Sequence, residues 1–137
     1  MDDDSTKTSP KTILIVDDDQ FITIAYKAGF EQVGYAVMVA NDGEEAIKQM
    51  TAKRPDLVLL DIMMPKVDGF ELLQAIKATK GLADIPIVIF TNLSQESDEK
   101  TARAYGAADF LTKANVSLND VLARVERLLD KDANSKQ

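Results

Sequence analysis

The chain has 137 residues, of which 45% are hydrophobic, and it carries a formal net charge of −7 with no cysteine and no histidine. Its size and apolar content predict one globular domain around a single core. The missing residue types exclude disulfides, thiolate and imidazole metal sites and a phosphohistidine relay within the chain, and the negative charge argues against direct binding of nucleic acid.

Both ends of the chain are polar. Residues 1–11 are acidic and unlike a signal peptide, and we predict a disordered N-terminal tail there. Residues 131–137 are predicted to form a disordered C-terminal tail, which leaves a domain at 12–130. No apolar run approaches the roughly 20 residues that span a bilayer. We therefore expect a cytoplasmic protein without a membrane partner.

From residue 12 onward, strand-like and helix-like segments alternate along the sequence. Five apolar runs predict strands, at 13–16, 36–39, 57–60, 85–90 and 109–111. Apolar residues at helical spacing predict one helix after each strand. The fourth helix, at 94–105, offers few inward-facing residues, and the fifth begins with a near capping box of Ser117 and Asp120. Five strands alternating with five helices predict an α/β doubly wound parallel sheet with helices on both faces.

Polar side chains follow four of the predicted strands and are expected to converge on one rim, because ligands of open parallel sheets bind outside the carboxyl ends of the strands. They are Asp17, Asp18 and Asp19 after the first strand, Asp61 after the third, Thr91 after the fourth and Lys113 after the fifth. Asp19 is expected to cap the helix that follows it. Carboxylates a few ångströms apart stay ionised together only around a cation, and oxygen-only ligands favour Mg²⁺.

A lysine and a hydroxyl beside such an ion suit a phosphoryl group, whose transfer needs positioning and charge neutralisation above all. A carboxylate can itself be the nucleophile and form an acyl phosphate. The sequence therefore predicts a magnesium-dependent site for phosphoryl transfer at this rim.

Four motifs in this order resemble those of a response-regulator receiver domain of two-component signalling. They are Ile13 to Asp19, Asp56 to Pro65 with the later Asp68-Gly69, Thr91, and Gly106 to Lys113. The resemblance covers about residues 11–130. It implies a CheY-like, flavodoxin-like sheet with the strand order 2-1-3-4-5.

The resemblance also implies roles for individual residues. Asp61 is the implied phosphoacceptor. Asp17 and Asp18 are the implied acidic pair that holds Mg²⁺, Asp18 directly and Asp17 mainly through water. Asp61 itself and the backbone carbonyl of Met63 are the further implied ligands.

The remaining implied roles concern phosphoryl contacts and output. Thr91 and Lys113 are implied to bind phosphoryl oxygens, and Phe110 matches an aromatic position whose rotamer changes on activation. The fourth helix, fifth strand and fifth helix would form the face that partners contact. The implied partners are a histidine kinase or histidine phosphotransfer protein as donor and a downstream protein as target. The chain itself is expected to be a monomer or a phosphorylation-dependent dimer.

Several positions near the site depart from the family pattern, and two of these departures lead to predictions. Ala114 follows Lys113 where receivers usually have a proline in a cis peptide, so we predict a trans bond and a rearranged loop, since a cis bond before a non-proline residue costs about 3–4 kcal/mol. Leu93 and Met63 place apolar side chains beside the site. We predict that they hinder an attacking water and lengthen the lifetime of phosphorylated Asp61.

Three functions are compatible with these residues. The first is a phosphoacceptor switch, either stand-alone or as a module cut from a longer regulator or hybrid kinase. The second is a Mg²⁺-dependent phosphohydrolase acting through an aspartyl phosphate; it is disfavoured because the haloacid-dehalogenase group has a general-acid aspartate where this chain has Met63. The third is an unphosphorylated scaffold, which the complete set of polar residues disfavours. We therefore expect no multiple-turnover enzyme.

Overall fold

A computed structural model describes residues 10–65, 67–93 and 95–135 of the chain. Within these residues, five strands of four or five residues alternate with five α-helices. The strands are β1 (Thr12–Val16), β2 (Ala36–Ala40), β3 (Leu57–Leu60), β4 (Ile87–Thr91) and β5 (Asp109–Thr112). The helices are α1 (Gln20–Gln32), α2 (Gly43–Ala52), α3 (Gly69–Lys77), α4 (Glu96–Ala104) and α5 (Leu118–Ser135).

The five strands form one parallel sheet in the order β2-β1-β3-β4-β5, which confirms the predicted fold class and strand order. The order reverses between β1 and β3, and there Val16 pairs with Leu60. The residues that follow these two therefore leave the sheet side by side. Such a switch point is where open α/β sheets bind their ligands.

The sheet is buried on both faces, because successive side chains of a strand point to opposite sides. Leu14 and Val16 of β1 belong to a core built with α2, α3 and α4. Ile13 and Ile15 belong to a second core built with α1 and α5. This double burial explains why the strands are continuous apolar runs and do not alternate with polar residues.

Side chains cap several helices as the sequence predicts. The Asp19 carboxylate accepts the backbone N–H groups of Phe21 and Ile22 and so caps α1. At α5 the Asp120 backbone N–H donates to the Ser117 hydroxyl, while the Asp120 carboxylate accepts the Ser117 N–H. Both caps satisfy N–H groups that the first turn of a helix leaves unpaired.

Several boundaries differ from the prediction. The fourth helix is shorter than 94–105, and Ala102 is the one buried residue within α4, every residue of which is described. The last helix continues to Ser135, whereas the sequence analysis placed 131–135 in a disordered tail. At the other end, the backbone carbonyl of Lys11 accepts the N–H of Ala36 beside the sheet. Residues 1–9 and 136–137 of the two predicted tails lie outside the described residues.

An unpredicted antiparallel pair follows β3, in which Met63–Met64 pairs with Val67–Asp68. It leads directly into α3 at Gly69, where the backbone of Ile62 comes so close that a Cβ on the glycine would lie 2.2 Å from the Ile62 Cα. Only glycine permits this approach. Among the described helices, none is both long and apolar enough to cross a bilayer.

Candidate functional site

Two strand ends bring a pair of buried carboxylates together. Asp17 and Asp61 follow the paired residues Val16 and Leu60, and the backbone N–H of Asp61 donates to the carbonyl of Val16 at 3.0 Å. The side chains of Asp17 and Asp61 are buried, with residue exposures of 2% and 5%. Two carboxylates buried this close together need a cation beside them.

Asp18 completes a three-carboxylate cluster at the rim. One oxygen from each of Asp17, Asp18 and Asp61 lies within 4.8 Å of the others, and Asp18 is exposed where its two partners are buried. These distances allow one ion to contact all three carboxylates, and an open side leaves room for waters and a phosphate. Mg²⁺ prefers such a set of oxygen ligands with retained water, so the residues present fit the ion that the sequence predicts.

Backbone N–H groups hold both buried carboxylates in one orientation. The N–H of Asp19 donates to Asp17 Oδ1 at 2.9 Å, and the N–H of Met63 donates to Asp61 Oδ1 at the same distance. The Oδ2 of each carboxylate faces into the site, where it contacts Lys113. The orientation therefore does not depend on a bound ion.

Lys113 bridges the two buried carboxylates. Its Nζ lies 2.8 Å from Asp17 Oδ2 and 3.0 Å from Asp61 Oδ2, and its side chain is 9% exposed. Burial raises the pKa of Asp17, against the opposing effect of Lys113. Burial by itself lowers the pKa of Lys113, but the hydrogen bonds and charges of the two carboxylates outweigh it and raise this pKa above 10.5. The ammonium is thus kept charged within a shielded site.

The loop after β5 gives Lys113 this reach without a proline. The peptide bond between Lys113 and Ala114 is trans, as predicted, and residues Lys113–Asn115 form one turn of 3₁₀ helix. With this trans peptide the ammonium reaches both carboxylates of the acidic rim.

Thr91 ends β4 within the same rim. Its hydroxyl is fully buried and accepts the N–H of Leu93 at 3.3 Å, which leaves the hydroxyl proton able to bind an arriving oxygen. Leu93 is half-buried, and Met63 is 51% exposed just after Asp61. Both residues are joined to the site through their backbone N–H groups, which donate to Thr91 Oγ1 and Asp61 Oδ1, and the predicted screening by their side chains stays a prediction.

Phe110 lies apart from these groups. Its half-buried ring packs against the core on the α2, α3 and α4 side of the sheet, whereas the Lys113 ammonium lies over Phe90, which belongs to the core on the opposite face. The structure thus brings the predicted carboxylates, Thr91 and Lys113 together, and it places Phe110 outside that group. The individual roles predicted for these residues stay predictions.

An ion-pair cluster on β5 was not predicted. Asp109 is buried, and its carboxylate accepts Arg103 Nη2 of α4 at 3.2 Å and also pairs with Arg124 Nη1 of α5. It accepts the backbone N–H of Phe110 as well. One signal was available in the sequence: an aspartate within a buried strand needs cationic or N–H partners.

A cavity of about 720 Å³ opens beside Asp18, between α2 and α3. Its lining includes Asp42, Glu44, Asp68 and Glu71 together with the apolar Leu72. These carboxylates add to the negative potential around the rim. The surroundings of the site therefore favour the approach of cations.

Comparisons with known proteins agree with this architecture. A family model described as the response regulator receiver domain matches residues 13–126. The alkaline phosphatase synthesis transcriptional regulatory protein PhoP of Bacillus subtilis is 39% identical over 119 residues, which are 87% of this chain and 48% of PhoP. The DNA-binding dual master transcriptional regulator RpaA of Synechocystis sp. is 40% identical over 117 residues, which are 85% of this chain and 48% of RpaA.

Among solved structures, a CheY-like response regulator receiver domain protein from Methanospirillum hungatei superposes with a TM-score of 0.86 at 28% identity. That match covers 93% of this chain and 99% of the other. The chain spans about half the length of the curated relatives named above, whereas it matches nearly the whole of this structure.

Proposed function

The chain belongs to the response-regulator receiver domain family, and from that premise we propose that it is a Mg²⁺-dependent phosphoacceptor switch in which Asp61 receives the phosphoryl group. One observation carries this assignment. Asp61 shares a rim with two further carboxylates at ion-binding distance and with a lysine whose Nζ lies 3.0 Å from its Oδ2. This set supplies a nucleophile, a cation site and a charge partner for the phosphoryl oxygens.

The proposed transfer joins one carboxylate oxygen of Asp61 to the phosphorus of a phosphohistidine on the donor. The phosphorus–nitrogen bond breaks, and the departing imidazole keeps the bonding electron pair and takes up a proton. Mg²⁺ held by Asp17, Asp18, Asp61 and the Met63 carbonyl would neutralise phosphoryl charge during the transfer.

Two further side chains bind the transferred group in this scheme. Lys113 exchanges its contact with Asp61 Oδ2 for a phosphoryl oxygen, and Thr91 donates its hydroxyl proton to another. Both are prepositioned by contacts already present, at 3.0 Å for the lysine and through the Leu93 N–H for the threonine. Little reorganisation is then needed when the phosphoryl group arrives.

The proposed output is a change in the surface formed by α4, β5 and α5. Support comes from the weak anchoring of α4, in which Ala102 alone is buried, and from the Arg103–Asp109–Arg124 cluster that joins the three elements. A phosphoryl group held by Thr91 and Lys113 pulls on the end of β5, which belongs to this surface, and on the end of the neighbouring β4. The proposed reader is a downstream protein.

The donor is proposed to be a histidine kinase or histidine phosphotransfer protein, and the chain to act as a monomer or as a dimer formed on phosphorylation. Because the chain spans about half of PhoP and RpaA, it is equally suited to act as the receiver module of a longer regulator. RpaA is described as a DNA-binding regulator. The proposed absence of direct nucleic-acid contact concerns this chain alone, whose net charge is −7.

The chemistry is tested by incubating the protein with acetyl phosphate, with and without Mg²⁺, and recording its intact mass. We expect one phosphoryl group per chain, only with Mg²⁺, and none in Asp61→Ala. Asp19→Ser is the matched control, because it removes a neighbouring carboxylate while serine still caps α1. Labelling that persists in Asp61→Ala, or continued release of phosphate at many turnovers per chain, would contradict the proposal.

A further inference from the structure

Phe90 and Lys113 meet on one face of the sheet. Phe90 of β4 pairs with Leu111 of β5, and both side chains belong to the core beneath α1 and α5. Lys113 begins the 3₁₀ turn directly after β5, and its side chain extends over the same face. Its Nζ stands over the Phe90 ring, 5.7 Å from the ring centroid.

The ring is held firmly in that place. Phe90 is 2% exposed, and its centroid lies 5.0 Å from that of Tyr26, with the ring planes inclined at 56°. Tyr26 is in turn buried against Phe30 of the same helix, at 6.3 Å between centroids. Burial and the contact with Tyr26 leave the ring of Phe90 little freedom to turn away.

An ammonium within about 6 Å of an aromatic centroid is attracted by the negative face of the ring, and more strongly where water is excluded. The Lys113 side chain meets that condition, since it is 9% exposed. Lysine has a flexible stem of four carbons, and Ala114 gives the following loop none of the stiffness of a proline. A contact other than the loop must therefore restrict the ammonium.

We propose that Phe90 is a positioning residue for phosphorylation: its aromatic face holds the Lys113 ammonium where the phosphoryl oxygen on Asp61 will arrive. This inference rests on the proposed function of Asp61. The carboxylates of Asp17 and Asp61 hold the ammonium at 2.8 and 3.0 Å before transfer, and the contact with Asp61 must be given up during it. The ring is an uncharged neighbour that keeps its contact throughout and does not compete for the new bond.

The test replaces Phe90 with phenylalanines that carry one, two and three ring fluorines. Fluorine withdraws electron density from the ring and so weakens the negative potential over its face, while the shape of the side chain changes little. We expect the maximal rate of Asp61 phosphorylation by acetyl phosphate to fall stepwise, by about tenfold over the series, with a smaller change in the half-saturating donor concentration. The matched control is the same series at Phe30, which is also fully buried and whose ring neighbours are Tyr26 and Tyr35. Equal rates across the Phe90 series, or equal losses in both series, would overturn the inference.

Two readouts do not depend on phosphorylation. The NMR signals of the Lys113 ε-methylene protons are assigned by their disappearance in Lys113→Met. The ring current of Phe90 should shift these signals upfield, and in Phe90→Leu they should return to ordinary chemical shifts. Fluorination at Phe90 should lower the free energy of unfolding more in the native background than in Lys113→Met. Unshifted methylene protons, or identical fluorine effects in both backgrounds, would refute the contact. If the native protein takes up no phosphoryl group, the proposed function is refuted instead. The two readouts above would still test the contact between Phe90 and Lys113.

Discussion

At the scale of single residues, the contacts of Asp61 determine how the proposed phosphoacceptor is held. Asp61 is oriented by the N–H of Met63 and paired with Lys113, and both contacts come from residues close to strand ends. We predict that Leu93 and Met63, whose backbone N–H groups bond to Thr91 and Asp61, add apolar surface at the mouth of the site. The lifetime of an acyl phosphate depends on whether a water can reach the phosphorus in line, so these two side chains should govern the rate of phosphoryl loss.

Leu93→Glu tests this role. A carboxylate in place of the half-buried leucine could orient and deprotonate an attacking water, and we expect phosphoryl loss from Asp61 to become about tenfold faster or more. The measurement is the decay of the phosphorylated mass after the donor is removed. Val33→Glu, at an exposed apolar residue of the α1 end, is the control for added charge and should leave the decay unchanged. If the decay is unaltered in Leu93→Glu, Leu93 does not control the lifetime of phosphorylated Asp61.

Lys113 gives a second prediction at this scale, for the protein without Mg²⁺. Asp17 and Asp61 raise the pKa of Lys113 above 10.5 in the folded state. A lysine with a raised folded pKa stabilises the fold fully below its unfolded pKa, and this contribution is lost as pH rises through the folded value. We expect the free energy of unfolding to decline above about pH 10.5, and to decline less steeply in Lys113→Met.

Urea unfolding at closely spaced alkaline pH values, in the presence of a chelator, measures this difference. The other groups that titrate in this range are common to both proteins, so the change of slope belongs to Lys113. Parallel curves for the native protein and Lys113→Met would mean that the two carboxylates do not raise this pKa.

At the scale of elements, α4 is the helix that the core holds least. It buries Ala102 alone, while α3 buries Leu72, Leu73 and Ile76. Since stabilisation follows buried apolar area at about 25 cal/mol per Å², α4 gains little from packing. Its tie to the sheet is then largely the ion pair between Arg103 and Asp109, a carboxylate that Arg124 of α5 shares. Helices with few buried contacts open first in the native state.

Asp109→Ala should therefore loosen α4 in particular. The variant leaves two arginines and the Phe110 N–H without their common acceptor, which costs about 1–3 kcal/mol, and amide exchange should accelerate in α4 more than in α2. Hydrogen exchange followed by mass spectrometry makes the comparison. The control is Glu96→Gln, which removes an ion pair with Lys100 that is largely exposed and worth little. Uniform acceleration in every helix would show that Asp109 supports the whole fold and not α4.

At the scale of the molecule, the sequence predicts the sheet better than its connections. The runs at 13–16 and 57–60 are buried on both faces, and this double burial leaves the short continuous apolar run that is typical of a parallel strand. The Met63–Met64 pairing lacks such a pattern, because two residues in a strand are too few to show a period. For the site, the acidic rim follows from strand order, but the contact between Phe90 and Lys113 depends on side-chain packing across two strands, which sequence spacing does not encode.

The negative net charge of the whole chain leads to a last prediction, which concerns removal of the metal ion. The chain has a net charge of −7, and three carboxylates lie at one rim beside the ammonium of Lys113. Without a bound metal ion, repulsion between these negative charges disfavours the folded state. An ion that binds the folded form alone raises the free energy of unfolding by RT ln(1 + [L]/Kd). We expect the thermal midpoint to rise with Mg²⁺ concentration and to fall back when a chelator is added. In Asp18→Asn the rise should be much smaller, since the exposed ligand loses its charge, whereas Asp19→Ser should keep it. The same rise in Asp18→Asn as in the native protein would place the ion away from this rim.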